Sequence, residues 1–319
     1  MPIGKVGNMG QNRTEIIVEG RRLSLSNLNK LYWPDDGYTK GQLVAYYTKV
    51  FSYLAPYLKD RPLVITRYPE GIGGQFFYQK NLPAGAPDWI TVFPVPSEGK
   101  KRVIHYVICN DLPTLVWLVN LGAIELHPWL SRTNNLDYPD FAVFDLDPDF
   151  PSGLPEAKEV AFTLQQLLLR LGAKPVVKTS GATGLHVHVP LAGTDTYEEV
   201  REFCGLVAQA VAEHRSDLAT VERRVKQRQG KVYIDWLQNI KGQTICAPYS
   251  VRPLPGAPVS TPVTWNELAT ANRSGTIMSI EERLLRHGDL FARALEPGPS
   301  IAQMRQNLKV TDHPAGSNR

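Results

Sequence analysis

Cysteine is scarce in this chain: three in 319 residues, at positions 109, 204 and 246, with no C-x-x-C pair among them. That spacing excludes a zinc knuckle, argues against a disulfide framework and suits a reducing compartment. No apolar run is long enough to span a bilayer and no secretory leader opens the chain, so neither a membrane span nor export is expected. No internal repeat is visible, which sets aside solenoids. Cations are missing from one place in particular. Of 35 Lys and Arg residues, none lies between Arg132 and Lys158. The net charge of +4 hints only weakly at an anionic partner. Its distribution says more, because residues 1–102 and 215–254 are basic and flank an acidic centre. That pattern fits a metal site within a polyanion-binding cleft, with chance clustering as the alternative.

The cation-free stretch contains Phe141-Ala142-Val143-Phe144-Asp145-Leu146-Asp147-Pro148. It is apolar, β-favouring and closed by prolines, and so reads as a short buried strand. Side chains alternate along a strand, so Asp145 and Asp147 face the same way, about 7 Å apart. Two ionised carboxylates crowded on one face repel unless a cation lies between them, and a hard divalent ion suits all-oxygen ligands. A strand that simply ends in solvent with both acids hydrated is the competing reading.

Along the chain, residues 15–25 form a weak edge strand after a polar tail over 1–14. Thr39 and Gln42 make a capping box for a helix that runs to about Pro56. Lys40 in its first turn opposes the helix dipole unless an anion binds there. The N–H groups of that helix start, with Lys40 and nearby Lys30, form a candidate phosphate site, and two solvated lysines are the alternative. Gly71, Gly73 and Gly74 are turn residues, since no G-K-[ST] follows them. Phe76, Phe77 and Tyr78 beside Lys80 offer a stacking platform, because neighbours on a strand cannot all face the core. Lys100-Lys101-Arg102 is a basic loop tip. Helices over 111–120, 154–171 and 196–214 alternate with strands over 123–127, 175–180, 185–191 and 231–237. Lys178 and Ser180 share one strand face, His186 and His188 share another, and Asp235 sits between Ile234 and Trp236. A Pro-rich extended segment over 248–262, a last helix from Ser279 and a mobile tail beyond Gly298 complete the chain. Strands and helices without a linker predict one α/β unit (mixed α+β) of two sub-lobes.

Three motifs occur in order: Asp145-Leu146-Asp147-Pro148; Lys178-Thr179-Ser180-Gly181 leading to Gly184-Leu185-His186-Val187; and Ile234-Asp235-Trp236-Leu237-Gln238-Asn239. Tyr249-Ser250-Val251-Arg252-Pro253 follows them. With Asn27 to Pro34, Thr39-Lys40, Arg67-Tyr68-Pro69, Phe76-Phe77 and Gln79-Lys80-Asn81, the chain from about Ser24 to Leu295 resembles the primase-like polymerase domain of bacterial ligase D, the end-joining polymerase.

The resemblance implies a primase-polymerase fold, two mixed β-sheets flanked by helices with the active site in the cleft between them. It places a single catalytic domain over 15–297 between flexible tails over 1–14 and 298–319. It implies that Asp145, Asp147 and Asp235 bind two divalent ions, Mn²⁺ or Mg²⁺. His127, Lys178, Ser180, His186, Gln238, Arg252 and Lys80 would meet the incoming NTP or dNTP. Asn27, Lys30 and Lys40 would read a DNA 5′-phosphate, and Phe76 and Phe77 would stack on the template. The loop over 92–104 would help to bring DNA ends together, and His188 stays structural. The implied activity is template-directed gap filling and end extension in double-strand-break repair, with a taste for ribonucleotides and a cytoplasmic, nucleoid-associated location. A Ku-like end-binding protein and a DNA ligase are the implied partners. No Lys-x-Asp-Gly occurs, so the ligase motif of ligase D is missing. A primase that starts chains de novo, a DNA-end-binding scaffold with little catalysis and a metal-dependent sugar transferase are the alternatives.

Overall fold

A computed structural model describes residues 4–8, 13–97, 102–270 and 275–311. The chain divides into two compact units. One comprises Met1–Trp129, Thr244–Thr261 and Ser274–Gly288; the other comprises Leu130–Gln243, Pro262–Arg273 and Asp289–Arg319.

The first unit opens with three antiparallel strands, β1 (Gly4–Asn8), β2 (Arg13–Val18) and β3 (Arg21–Ser26). Glu19 and Gly20, both at positive φ, make a two-residue turn that folds β2 back on β3. The sequence reading has one edge strand and a loose tail here. The tail instead contributes β1, because pairing at a sheet edge uses backbone groups and needs no apolar pattern. A short ladder follows, β4 (Leu31–Trp33) with β5 (Tyr38–Thr39), and leads into α1 (Lys40–Leu58). The capping box of Thr39 and Gln42 is formed as predicted.

The main sheet of this unit contains β6 (Pro62–Arg67), β7 (Phe77–Gln79), β8 (Val92–Pro96), β9 (Val103–Ile108) and β10 (Ala123–Pro128). Its order is β10-β6-β9-β8, with β7 also on β6. Helix α2 (Leu112–Asn120) is capped by the Asp111 carboxylate, which accepts the Thr114 N–H. The Tyr47 hydroxyl of α1 donates to the Ile124 carbonyl at 2.5 Å and accepts the Val251 N–H at 3.0 Å. This one buried side chain ties α1 to β10 and to the Pro-rich segment. Lys100 and Lys101 of the basic tip lie outside the described residues.

The second unit contains β11 (Phe141–Pro148), α3 (Leu154–Arg170), β12 (Val176–Thr179), β13 (Leu185–Pro190), α4 (Tyr197–His214), β14 (Ala219–Thr220) and β15 (Val232–Asp235). Its sheet runs β14-β15-β11-β13-β12, with Pro262–Val263 beyond β12. All neighbours are antiparallel except β14 and β15. Ala142, Phe144, Leu146, Leu185, Val187, Val189, Val177, Val232 and Ile234 pack on α3 and α4 in one buried cluster. The period-2 alternation therefore sends Asp145 and Asp147 to the other face.

The predicted strand over 231–237 stops at Asp235, because Leu237–Asn239 turns into a short 3₁₀ segment. Buried Asn239 then completes the edge that β15 leaves. Its Oδ1 accepts the Val143 N–H at 2.8 Å and its Nδ2 donates to the Val143 carbonyl at 2.7 Å. The segment read as a mobile C-terminal tail contains a helix, Ile301–Thr311, with Ile301 and Met304 buried. The Asp195 carboxylate accepts the Ile301 N–H, and the Asn307 amide donates to the Leu171 carbonyl. One apolar pair at i, i+3 in a polar segment is a weak periodic signal, and packing decides the outcome.

Gly184 packs closely on this sheet: a Cβ there would stand 2.2 Å from the Leu146 carbonyl oxygen, on the residue between the two aspartates. Backbone must move to admit it. Gly184→Ala is expected to cost about 1–3 kcal/mol in urea denaturation; an unchanged midpoint would refute this close packing.

Candidate active site

The sequence-predicted residues fall into groups that lie within one unit or the other. In the second unit the strand register assembles most of the residues that the sequence reading assigns to catalysis and nucleotide binding. Asp145 stands directly opposite Asp235 of β15 and opposite His186 of β13, and His186 stands opposite Lys178 of β12. Directly paired residues share a sheet face. Asp235, Asp145, His186 and Lys178 thus form one row across four strands, and Asp147 lies two residues along the same face. The row is set by backbone pairing, with no reliance on long flexible side chains.

Neighbouring atoms fix the members of the row. His186 Nε2 is 3.4 Å from Asp145 Oδ1, and Lys178 Nζ is 2.6 Å from His186 Nδ1. Asp235 Oδ1 accepts the Leu237 N–H at 2.9 Å and the Tyr233 hydroxyl at 3.3 Å, and Oδ2 accepts the Gln238 amide at 3.0 Å. The sequence reading missed Tyr233. Burial, then the Asp235 charge, pushes its phenol up to about 12, and the Arg228 guanidinium lies 4.1 Å over its ring. Its position two residues before Asp235 was the available signal.

Ser180 shapes the loop between β12 and β13. Its hydroxyl oxygen accepts the N–H groups of Ala182 and Gly184, each at 3.1 Å, and its own N–H donates to the Gly184 carbonyl. Its hydroxyl hydrogen is left to donate elsewhere.

Three carboxylates on one face give an oxygen donor set that suits a hard divalent cation completed by substrate and water oxygens. Among the described residues no group of three or more His, Cys, Asp and Glu is spaced to hold a metal ion as it stands. The fit rests on donor chemistry and shared face: Asp145, Asp147 and Asp235 form an open ledge.

In the first unit, Asn27, Lys30 and Lys40 come together as predicted, with one correction. The helix-start N–H groups are already taken. Those of Lys40, Gly41 and Gln42 donate to the Lys30 carbonyl, the Leu28 carbonyl and Thr39 Oγ1. An anion here would meet side chains. Lys40 is 4% exposed and its ammonium donates to the Ser26 carbonyl at 2.6 Å. Burial, reinforced by the charge of Lys30, lowers its pKa to about 8. Lys30 donates to the Pro69 carbonyl and pairs with the exposed Glu70 carboxylate. Asn27 takes the left-handed turn position that its short amide side chain tolerates, at φ +55°.

A second first-unit group centres on Glu125, which the sequence reading left unassigned. Its carboxylate lies 3.0 Å from Arg252 Nε and 3.6 Å from His127 Nε2. Burial alone would raise its pKa, but His127, Arg252 and Thr66 outweigh that and hold it below the usual value. Phe76 and Phe77 are exposed, as the stacking reading requires. Phe76 stacks on Tyr68 at 5.2 Å, and the Arg67 guanidinium lies 5.1 Å from the Phe77 ring. Lys80 lines a groove of ≈ 520 Å³ with Phe77, Tyr78 and Arg102. Glu125→Ala would leave Arg252 and His127 without their shared acceptor. A stability loss of about 3 kcal/mol is expected, and less for Glu125→Gln; a loss under about 1 kcal/mol in urea denaturation would show that the cluster is not energetically coupled.

Comparison with known proteins agrees with this architecture. Residues 39–291 match the family model described as LigD, primase-polymerase domain. The bifunctional non-homologous end joining protein LigD of Bacillus subtilis is 34% identical over 274 residues, 85% of this chain and 44% of that protein. The multifunctional non-homologous end joining protein LigD of Mycolicibacterium smegmatis is 30% identical over 85% of this chain and 36% of its own length. The chain therefore spans less than half of these relatives. The polymerase domain of Mycobacterium tuberculosis ligase D, solved in complex with DNA, superposes with a TM-score of 0.82 at 30% identity, covering 87% of this chain and 99% of that one. The chain belongs to the LigD primase-polymerase domain family.

Proposed function

We propose that this chain is a template-directed nucleotidyltransferase that fills short gaps and extends broken DNA ends in end joining, with ribonucleotides favoured. The observation that carries this reading is the single-face row of Asp235, Asp145, His186 and Lys178 with Asp147 beside it. Asp145, Asp147 and Asp235 would hold divalent cations, Mn²⁺ or Mg²⁺, which lower the pKa of a primer 3′-hydroxyl and neutralise charge on the triphosphate. The chain's own groups would place the reactants. Arg252, braced by Glu125, offers a fork suited to phosphate oxygens. Ser180, His186, Gln238, Lys80 and His127 supply further polar contacts to the nucleotide. Exposed Phe76 and Phe77 supply faces for base stacking.

The cluster of Asn27, Lys30 and Lys40 favours gap work over de novo priming. A buried cation that a neighbouring cation further disfavours is costly alone, and a 5′-phosphate would offset that cost. The exposed Lys30–Glu70 pair contributes little and is exchangeable. The carboxylate ledge supports an enzyme over an end-binding scaffold, and a sugar transferase gives no account of the two lysines. The ligase D neighbour solved with DNA supports a nucleic-acid substrate. A Ku-like protein and a separate ligase are the proposed partners. No described helix is long and apolar enough to cross a membrane.

Single-nucleotide addition to a gapped duplex with Mn²⁺ tests the reading. Template-matched addition, stronger with a downstream 5′-phosphate and with NTP over dNTP, is expected. No addition, with tight end binding, would replace it with the scaffold reading. Asp147→Ala should abolish addition and leave DNA binding intact; residual synthesis near the native rate would sink the metal assignment.

The phosphate preference should also depend on pH. Lys40 is charged below about 8 and loses its proton as pH rises through that value. The preference should therefore be full at pH 7 and weaken by pH 9, and Lys30→Ala with Lys40→Ala should erase it. A ratio of phosphorylated to unphosphorylated substrate use that is constant across that range, or unchanged in the double variant, would refute the site.

A further inference from the structure

Lys178 is fully buried. Its Nζ meets His186 Nδ1 at 2.6 Å. An ammonium has three donors and no acceptor, so the hydrogen bond runs from Nζ–H to the Nδ1 lone pair. A neutral imidazole that accepts at Nδ1 carries its proton on Nε2. That nitrogen is the one 3.4 Å from Asp145 Oδ1.

We infer that Lys178 is a positioning residue that fixes His186 as the Nε2–H tautomer, with its ring proton on the side of the carboxylate ledge. This deepens the proposed function, because it assigns an indirect role to a cation that the sequence reading places on the triphosphate. Backbone pairing sets the geometry: Lys178 is opposite His186, and His186 is opposite Asp145. The ring therefore presents a donor to the ledge, where an incoming phosphate oxygen could accept it. A bare Nε2 would repel both the carboxylate and the phosphate.

Imidazole ¹⁵N shifts of His186 in the protein without metal or nucleotide test this directly, with His186→Gln providing the assignment. The native chain should show a protonated Nε2 and an unprotonated Nδ1. Lys178→Met fills the space without a donor and should give a tautomer mixture. Lys178→Gln, whose amide can still donate to Nδ1, should restore the native pattern. In nucleotide addition, Lys178→Met should raise the nucleotide KM on the order of tenfold, with Lys178→Gln closer to native. A protonated Nδ1 in the native chain, or a native pair of shifts in Lys178→Met, would overturn the inference. The shifts need no polymerase activity, so failure of this assignment and failure of the functional reading are distinguishable.

Discussion

The second unit depends on one constraint: a β-strand has two faces, and β11 must serve both. Its even-numbered residues Ala142, Phe144 and Leu146 are wholly buried against α3 and α4. The odd-numbered positions are thereby committed to the opposite face, and two of them are aspartates. A slip of one residue would drive both carboxylates into an apolar core. Core packing and site geometry are therefore the same register decision. Asn239 bonded to both backbone groups of Val143, and the Gly184 backbone pressed against Leu146, hold that register on either side of β11.

The two units handle buried cations differently. Lys178 sits in a row with His186 and two carboxylates, its Nζ fixed against His186 Nδ1. Lys40 is held by the Ser26 carbonyl with a second lysine nearby, and its proton is correspondingly loose. The first arrangement suits a fixed scaffold for chemistry, and the second suits a site that is satisfied when an anion arrives. Glu125 is a third case, a buried acid whose cationic neighbours hold it charged.

Much of this was legible in the sequence, for physical reasons that can be named. Period 2 in β11 placed Asp145 and Asp147 on one face, and the capping box of Thr39 and Gln42 marked a helix start that the structure contains. Other features were invisible because they depend on partners remote in sequence. Glu125 matters through Arg252, over a hundred positions away, and Lys178 turns from phosphate to His186 only once β12 and β13 pair. The N–H groups at the start of α1 looked available until the backbone of residues 28–30 folded onto them. The helix Ile301–Thr311 is stabilised by Asp195 and Leu171, which no local pattern announces.

We propose that the shared face of β11 and β15 is a divalent-cation site. The most direct measurement is Mn²⁺ uptake by the native chain, followed by electron paramagnetic resonance, beside a variant carrying Asp145→Asn and Asp235→Asn. Bound Mn²⁺ is expected in the native chain and its loss in the variant, with the fold retained. Equal uptake by both would contradict it.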